Sequence, residues 1–297
     1  MLRAAAVRLP FLVLLVLSAF IGAWLLTALA PGDAAYELLP QGRAAYEAER
    51  ARLGLDRPVS DRLLERLRRA AALDLGTSSR YGRPVLPLVA ERASDTLLAG
   101  SLALGCALLV GIPAGVATER LRSRSRTLAR IVSIVSLTIV SVPSLVAALL
   151  LVALFARLRV PTLVVVVLAL ALPAAALIER LQAAAYRETA GGLHIRAARA
   201  RGVSERRAAW RHAWPLSLPA VLGVVSLVAS QLVSGSLAVE FVTGWPGLGR
   251  LTYDALVSRD PDLAAGCAAA AAALVGLASL AADVTLAAID PRVSASS

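Results

Sequence analysis

The chain has 297 residues, of which 58% are hydrophobic, and its mean hydropathy is +0.71. Soluble domains are about 45–50% apolar, so this composition excludes an ordinary soluble protein and predicts a membrane protein. The formal net charge is +11, and all 31 basic residues are arginine. Because these arginines cluster in loops beside apolar segments, the charge indicates membrane topology and excludes a nucleic-acid partner.

Six uncharged, apolar segments are each long enough to cross a bilayer, which takes about 20 residues of helix. They are Leu9–Ala30, Thr96–Thr118, Ile131–Ala156, Val160–Ile178, Ala213–Val239 and Leu263–Ala282. A signal peptide is the alternative for the first, since Arg3 and Arg8 precede it, but its 22 uncharged residues exceed the apolar core of about 7–15 that signal peptides carry. We expect a retained helix, and the sequence predicts an all-α polytopic membrane protein with six transmembrane helices.

Residues 31–95 form the one long loop, between the first and second spans, and we assign this insertion to the extracytoplasmic side. It contains 11 arginines, but loops longer than about 60 residues cross the membrane largely regardless of charge. Apolar residues recur at intervals of three and four over Ala44–Leu73, which predicts an amphipathic helix. A stretch rich in glycine and proline, residues 76–87, then predicts a break before the second span.

The fourth apolar segment is the shortest, and Pro161 and Pro173 lie at or near its ends. Proline lacks the backbone N–H that a helix interior uses. We therefore expect this helix to begin and end near these two residues.

Charge in the short loops predicts the orientation. Residues 119–130 carry five arginines and one acid, and residues 182–212 carry seven arginines and two acids, whereas residues 240–262 carry four acids and two arginines. Because cytoplasmic loops carry an excess of arginine, both termini and the first two of these loops are predicted to be cytoplasmic. The predicted divisions are an N-terminal transmembrane helix 1–30, the insertion 31–95, a five-helix core 96–290 and a cytoplasmic tail 291–297.

The arginine-rich loop, residues 182–212, favours helix over most of its length, with interruptions at Gly191-Gly192 and Gly202. Glycine tolerates a positive φ, so we expect Gly202 to end one short helix and turn the chain into the next.

Two interpretations of that short helix stay open on physical grounds. It could present Ile195, Ala198 and Val203, flanked by arginines, to a groove on a partner. It could equally lie among lipid headgroups, held by arginines and Trp210.

The residues that usually carry chemistry are few and scattered. His194 and His212 have no acidic or cysteine neighbours in ligand spacing, so no metal site is expected. Cys106 and Cys267 lie inside apolar runs and are expected to be packing residues. No cluster of histidines and acids occurs at one interface, so we expect neither catalytic residues nor a cofactor, which argues against a membrane enzyme.

Between the fifth and sixth spans, Pro246, Gly247 and Gly249 predict a tight re-entrant or surface turn, which is either a hairpin linker or a functional element. Glu240 stands at the outer end of the fifth span, where an acid is either in a transport pathway or merely solvated. A secondary transporter driven by an ion gradient would need ionisable residues near the middle of the bilayer. The six segments lack charge for 19 or more residues each, so this alternative is disfavoured.

The arginine-rich loop resembles the signature loop of the permease subunits of bacterial ABC importers. That signature has Glu-Ala-Ala, three further residues and Gly, then an apolar residue with Pro. Ala197, Ala198, Gly202 and Pro215 occupy matching positions, and Arg196 stands where the signature has glutamate.

Further short matches to the dipeptide, oligopeptide and nickel branch of that family follow in family order along nearly the whole chain. They are Pro31-Gly32-Asp33, Asp74-Leu75-Gly76-Thr77-Ser78 before Pro84-Val85, Trp245-Pro246-Gly247-Leu248-Gly249, Arg259-Asp260 and Asp290-Pro291-Arg292.

The resemblance implies a multi-pass permease of the bacterial inner membrane that forms half of a translocation path for peptides or related small solutes. It implies a second permease subunit, two ABC ATPase subunits, an extracytoplasmic solute-binding protein and contact with membrane lipid. The chain contains no lysine, which a P-loop requires, so ATP hydrolysis belongs to other subunits.

The resemblance also implies two sets of site residues. The set that contacts the ATPases is Arg196, Ala197, Ala198, Arg199, Arg201, Gly202, His212 and Pro215. The set that forms an outer gate or contacts the binding protein is Glu240, Trp245, Pro246, Gly247 and Gly249.

Overall fold

The structure is a computed structural model that describes residues 2–30, 42–52, 54 and 56–289. Over these residues the chain is helical and contains no strand; Thr77 and Pro84 form one isolated bridge. The helices are α1 Leu2–Leu29, α2 Arg43–Arg52, α3 Val59–Ala71, α4 Val85–Arg124, α5 Arg126–Ser141, α6 Ser144–Phe155, α7 Thr162–Ala190, α8 Leu193–Ala200, α9 Glu205–Arg207, α10 Trp214–Leu222, α11 Val225–Thr243, α12 Leu248–Val257 and α13 Pro261–Ile289, with a π-helical turn Ala208–Ala213 before α10. The all-α prediction is confirmed.

Five helices in the described part of the chain are long and apolar enough to cross a membrane. They are Leu9–Leu29, Val85–Arg124, Thr162–Ala190, Val225–Thr243 and Pro261–Ala282. The pair α5 and α6 also passes when taken together, although the two helices are bent by 100° at their junction. The polytopic prediction is confirmed, and the count reaches the predicted six when the bent pair is one span.

The bend corrects the expectation of one continuous helix across Ile131–Ala156. Val142 has an extended backbone, with φ −80° and ψ 118°, and Pro143 precedes α6. Proline disfavours helical geometry in the residue before it and cannot donate a backbone hydrogen bond. The apolar run therefore folds as two helices.

Pro173 has the opposite effect from the one predicted. The helix α7 begins directly after Pro161, as expected, but it passes through Pro173 and ends only at Ala190. Helices packed around a membrane segment can satisfy the carbonyl group that an internal proline leaves free. The expectation that Pro173 lies at or near the end of this helix is therefore wrong.

Other helix boundaries also differ from those expected from the sequence. The helix that contains the second apolar segment, Thr96–Thr118, begins earlier, at Val85, and runs to Arg124, so the loop 119–130 is helical except at Ser125. Ser125 caps α5 by accepting a hydrogen bond from the backbone N–H of Leu128 at 3.4 Å. The fifth apolar run is divided at Gly223 and Val224 into α10 and α11.

The insertion contains two helices rather than one across Ala44–Leu73. Gly54, with φ +65°, and Pro58 separate α2 from α3 because neither favours a continuing helix. Residues 31–41 and 290–297, which hold two of the quoted motifs and the predicted tail 291–297, lie outside the described residues.

The chain divides into two compact units. The first is formed by the described parts of Met1–Arg8, Leu98–Trp245 and Leu277–Ser297, and the second by those of Leu9–Leu97 and Pro246–Gly276.

The core of the first unit is built around α7, which contacts α5, α6, α10 and α11. The helix α4 approaches α7 closely at two glycines. A Cβ atom added to Gly111 would lie 2.7 Å from the carbonyl oxygen of Ala175, and one added to Gly115 would lie 2.5 Å from that of Glu179. This spacing of small residues lets two membrane helices pack backbone to backbone.

The second unit packs the start of α4 against α12 and the start of α13, with Val85, Leu88 and Leu251 almost fully buried. The apolar face of α3 packs onto buried Phe20 and Trp24 of α1. The indole N–H of Trp24 donates to the carboxylate of Asp262 at 3.2 Å.

Candidate functional site

The arginine-rich loop is a chain of short helices whose turns are set by glycine. The helix α7 ends before Gly191, α8 follows, and Gly202 adopts φ +84°. The backbone N–H of Gly202 donates to the carbonyl of Arg199 at 2.9 Å, and that of Val203 donates to the carbonyl of Ala198 at 3.2 Å. These two bonds are the Schellman arrangement that ends helices at a left-handed glycine. The prediction that Gly202 ends a helix and turns the chain is confirmed.

The apolar face of α8 is buried inside the protein. Ile195 is 1% exposed and packs with Val116 of α4 and Tyr186 of α7, and with Ala208 and Ala213 of the π-helical turn. We call these five residues the loop core.

The loop core bears on one of the two interpretations left open by the sequence, in which the apolar face of α8 meets a groove on a partner. Ile195 and Ala198 are buried within this chain, and Val203 packs partly buried against the loop core. The helical spacing identified the apolar face correctly; the chain's own helices cover it.

The opposite face of α8 is exposed and basic. Arg196, Ala197, Arg199, Arg201 and Gly202 all lie on the surface. The guanidinium group of Arg199 pairs with the carboxylate of Glu205 at 3.0 Å. The face that remains for a partner therefore consists of arginine side chains around small alanines and a glycine turn.

The two other residues of the predicted set belong to the next segment. His212 is half-buried in the π-helical turn, and Pro215 is exposed in the first turn of α10. The eight residues thus occupy one continuous stretch, but only Ala198 among them is buried.

Sequence reasoning missed an ion-pair group beside the loop core. Arg187 of α7 reaches the carboxylate of Glu119 on α4 at 3.0 Å, and Arg122 reaches the same oxygen at 3.2 Å. The group joins the ends of the two helices that carry Val116 and Tyr186. The sequence feature that could have predicted this ion-pair group is Glu119 itself, the single acid in the arginine-rich stretch 119–130.

Sequence reasoning also missed a buried polar group nearer the middle of α7, because the apolar run was ended at Ile178. The hydroxyl of Ser136 donates to Glu179 at 2.6 Å, and the side-chain amide of Gln182 donates to Ser217 at 2.7 Å. Within the described residues, Glu179 Oε1 and Gln182 Oε1 are buried without a hydrogen-bond partner, as is Trp214 Nε1. Buried polar atoms left unpaired cost about 1–3 kcal/mol each, so this group is a sensitive part of the helix interface.

The predicted outer set is divided between the two units. Glu240 is fully buried in α11, and Trp245 packs partly buried against the core of the first unit. Pro246, Gly247 and Gly249 belong to the second unit, where the chain enters α12 and does not form a plain hairpin.

A cavity of about 220 Å³ adjoins Pro246 in the second unit, lined also by Tyr81, Arg92, Arg250 and Asp254. Arg92 donates to the carbonyl oxygen of Pro246 at 3.1 Å. The Tyr81 hydroxyl donates to Asp254 at 2.9 Å. Partial burial, with the nearby Asp254 carboxylate, raises the pKa of Tyr81 above its ordinary value.

The described residues contain no group of three or more histidine, cysteine, aspartate or glutamate side chains placed to hold a metal ion. The arginine-rich loop has a basic outer face and an apolar inner face.

Comparison with known proteins identifies one family. Residues 107–295 match the model of the binding-protein-dependent transport system inner membrane component. The oligopeptide transport system permease protein OppB of Mycobacterium bovis is 31% identical to this chain, over 97% of each chain, and OppB of Mycobacterium tuberculosis gives the same values.

A solved structure has a similar fold. A chain of the MetNI methionine ABC transporter, in an inward-facing form, superposes with a TM-score of 0.62 at 21% identity. The match covers 68% of this chain and 96% of that one.

Proposed function

The chain belongs to the family of binding-protein-dependent transport system inner membrane components, and from this membership we propose that it forms half of a peptide translocation path worked by separate ATPase subunits. It is a multi-pass inner-membrane permease subunit of an ABC importer. Such importers work with ATPase subunits and a solute-binding protein.

The observation that carries the coupling proposal is the burial of Ile195 against α4 and α7. The exposed arginine face of α8 docks on an ATPase subunit, and the inner face locks α8 to two membrane helices. A displacement of α8 therefore moves Val116 and Tyr186 with it, because close-packed residues transmit displacement. Closure of the ATPases on ATP shifts these helices and alternates the path between its inward and outward openings.

The proposed assembly is one copy of this chain, a second permease, two ATPase subunits and one binding protein. The loop 182–212 and both termini face the cytoplasm, in keeping with the excess of arginine in that loop. ATP hydrolysis is assigned to the separate ATPase subunits, since without lysine this chain cannot form an ordinary P-loop.

The proposed substrates are peptides, as the names of the OppB relatives suggest. Glu240 of α11 is assigned to the translocation path. The turn Pro246–Gly249 is assigned to an outer gate or to contact with the binding protein, and Trp245 is assigned the same role. The predicted domains 1–30, 31–95 and 96–290 are kept as the working division of the chain.

Gly202→Val tests the coupling proposal. A Cβ at Gly202 would meet no atom within 4 Å, so valine acts on the φ of +84° and not through a clash. That conformation costs a β-branched residue about 1–3 kcal/mol, enough to distort the turn. The matched control is Gly82→Val, at φ +60° and equally open, but in the insertion.

We expect Gly202→Val to lose ATPase subunits during purification of the complex and to abolish peptide uptake, while Gly82→Val retains both. If Gly202→Val retained both, the assignment of this loop to ATPase coupling would be wrong.

A further inference from the structure

A second feature of the arginine-rich loop lies beside the face of α8. Ser204, Arg206, Arg207, Trp210 and Arg211 line a surface concavity of about 470 Å³ in the first unit. We call it the arginine pocket. None of its residues belongs to the set assigned to the ATPases.

The arginine pocket concentrates positive charge from three arginines. Within the described part of the chain, Arg206, Arg207 and Arg211 have no salt bridge to a carboxylate. Glu205, the acid in the same stretch, pairs with Arg199 at 3.0 Å. Three like charges around one concavity, next to the Ser204 hydroxyl, are arranged for an anion with several acceptor oxygens.

The local backbone brings these side chains together. The π-helical turn Ala208–Ala213 follows α9 directly, and Arg206 before it and Arg211 within it both line the concavity. Single π-helical turns occur often at functional sites.

The residues around Trp210 indicate the level of the arginine pocket relative to the membrane. Trp210 is 39% exposed, its ring lies edge-on to that of Trp214 with centroids 5.2 Å apart, and the guanidinium group of Arg120 lies 5.8 Å from its centroid. Directly after Trp214 the chain turns apolar, and Leu216 is 57% exposed. Tryptophan between a basic surface and an apolar one is typical of the headgroup level of a membrane.

We propose that the arginine pocket binds the phosphate of an anionic phospholipid, such as phosphatidylglycerol, in the leaflet that the loop faces. This inference deepens the proposed function and rests on it only for the leaflet, which is cytoplasmic. The bound headgroup fixes the second half of the loop to the membrane surface, so that force applied at α8 moves helices and not the loop alone.

The test uses the purified complex in nanodiscs of phosphatidylcholine with and without phosphatidylglycerol, and native mass spectrometry to count retained lipid. Each arginine near an anionic surface contributes about a fivefold factor to binding, so the variant Arg206→Gln with Arg207→Gln and Arg211→Gln should bind phosphatidylglycerol on the order of 100-fold more weakly. The control, Arg157→Gln with Arg159→Gln, removes two exposed arginines elsewhere in the chain and should change retention little.

Three outcomes would overturn the proposal. Retention of phosphatidylglycerol by the triple variant excludes the arginine pocket as the lipid site. Displacement of the lipid by millimolar inorganic phosphate identifies a free-phosphate site instead. Loss of ATPase subunits with unchanged lipid retention makes the arginine pocket part of the ATPase contact. The Gly202→Val variant separates this proposal from the coupling proposal, because it should lose ATPase subunits and keep the lipid.

Discussion

Replacing Ile195 with alanine distinguishes the binding of ATPase subunits to α8 from the transmission of their movement to the membrane helices. Ile195 is 1% exposed and is the α8 residue of the loop core, between Val116 and Tyr186. Replacing a buried isoleucine with alanine costs about 2–5 kcal/mol, from lost burial and from the cavity that remains. Many other contacts hold the chain together, so we expect it to stay folded. The lost free energy then weakens the packing between α8 and the two membrane helices, α4 and α7. The exposed arginine face of α8 is unchanged.

We therefore expect Ile195→Ala to co-purify with ATPase subunits but to transport poorly, with ATP hydrolysis that no longer responds to the binding protein. Ile195→Val, which costs about 0.5–1.5 kcal/mol, should have an intermediate effect. Leu193→Ala is the matched control, because Leu193 lies on the same helix and is 80% exposed. The assay is peptide uptake per ATP hydrolysed in proteoliposomes. Loss of ATPase binding in Ile195→Ala, or full coupling, would refute the reasoning.

Three further predictions concern a close helix contact, an ion-pair group and a partly buried tyrosine. Gly115→Ala places a Cβ 2.5 Å from the Glu179 carbonyl oxygen and should lower the melting temperature by an amount equivalent to about 1–3 kcal/mol, whereas Gly105→Ala, which meets nothing within 4 Å, should not. Glu119→Gln removes a partly exposed ion pair and should cost no more than about 1 kcal/mol; a larger loss in thermal unfolding would mean that the pair is effectively buried. The raised pKa of Tyr81 means that the folded protein keeps this phenol protonated at pH values where the unfolded chain releases it, so its contribution to stability is present below pH ~10 and is lost as pH rises through the folded pKa. Asp254→Asn should shift the ultraviolet phenolate titration to lower pH, and an unchanged titration would contradict this.

Prolines show how far local sequence could determine the helices. Pro161 and Pro143 both precede a helix that begins at the next residue, and Pro173 lies inside one. All three have the same missing N–H and the same fixed φ. The helix α7 packs against α5, α6, α10 and α11, and this packing is not visible in hydropathy and turn residues, which therefore could not distinguish a break from a continuation.

The arginine-rich loop shows the same limit at the candidate site. The left-handed turn at Gly202 was predictable because it depends on one residue and its own hydrogen bonds. The apolar face of α8 was predictable from the spacing of its residues. The helices that bury this face were not, since Val116 is far from Ile195 along the chain. Glu179 escaped notice because a search for uncharged runs stops at the first acid, even when that acid is buried and bonded to Ser136.

Accessibility of Ala197 tests the central claim, that the exposed face of α8 carries the ATPase subunits on the cytoplasmic side. Ala197→Cys is introduced after Cys106, which is exposed, is replaced by serine; Cys267 is buried and can remain. A membrane-impermeant maleimide is then applied to right-side-out and inside-out vesicles, with and without ATPase subunits. The account predicts labelling only in inside-out vesicles stripped of ATPases, and protection when the ATPases are restored. Labelling in right-side-out vesicles, or labelling that bound ATPases do not reduce, would contradict it.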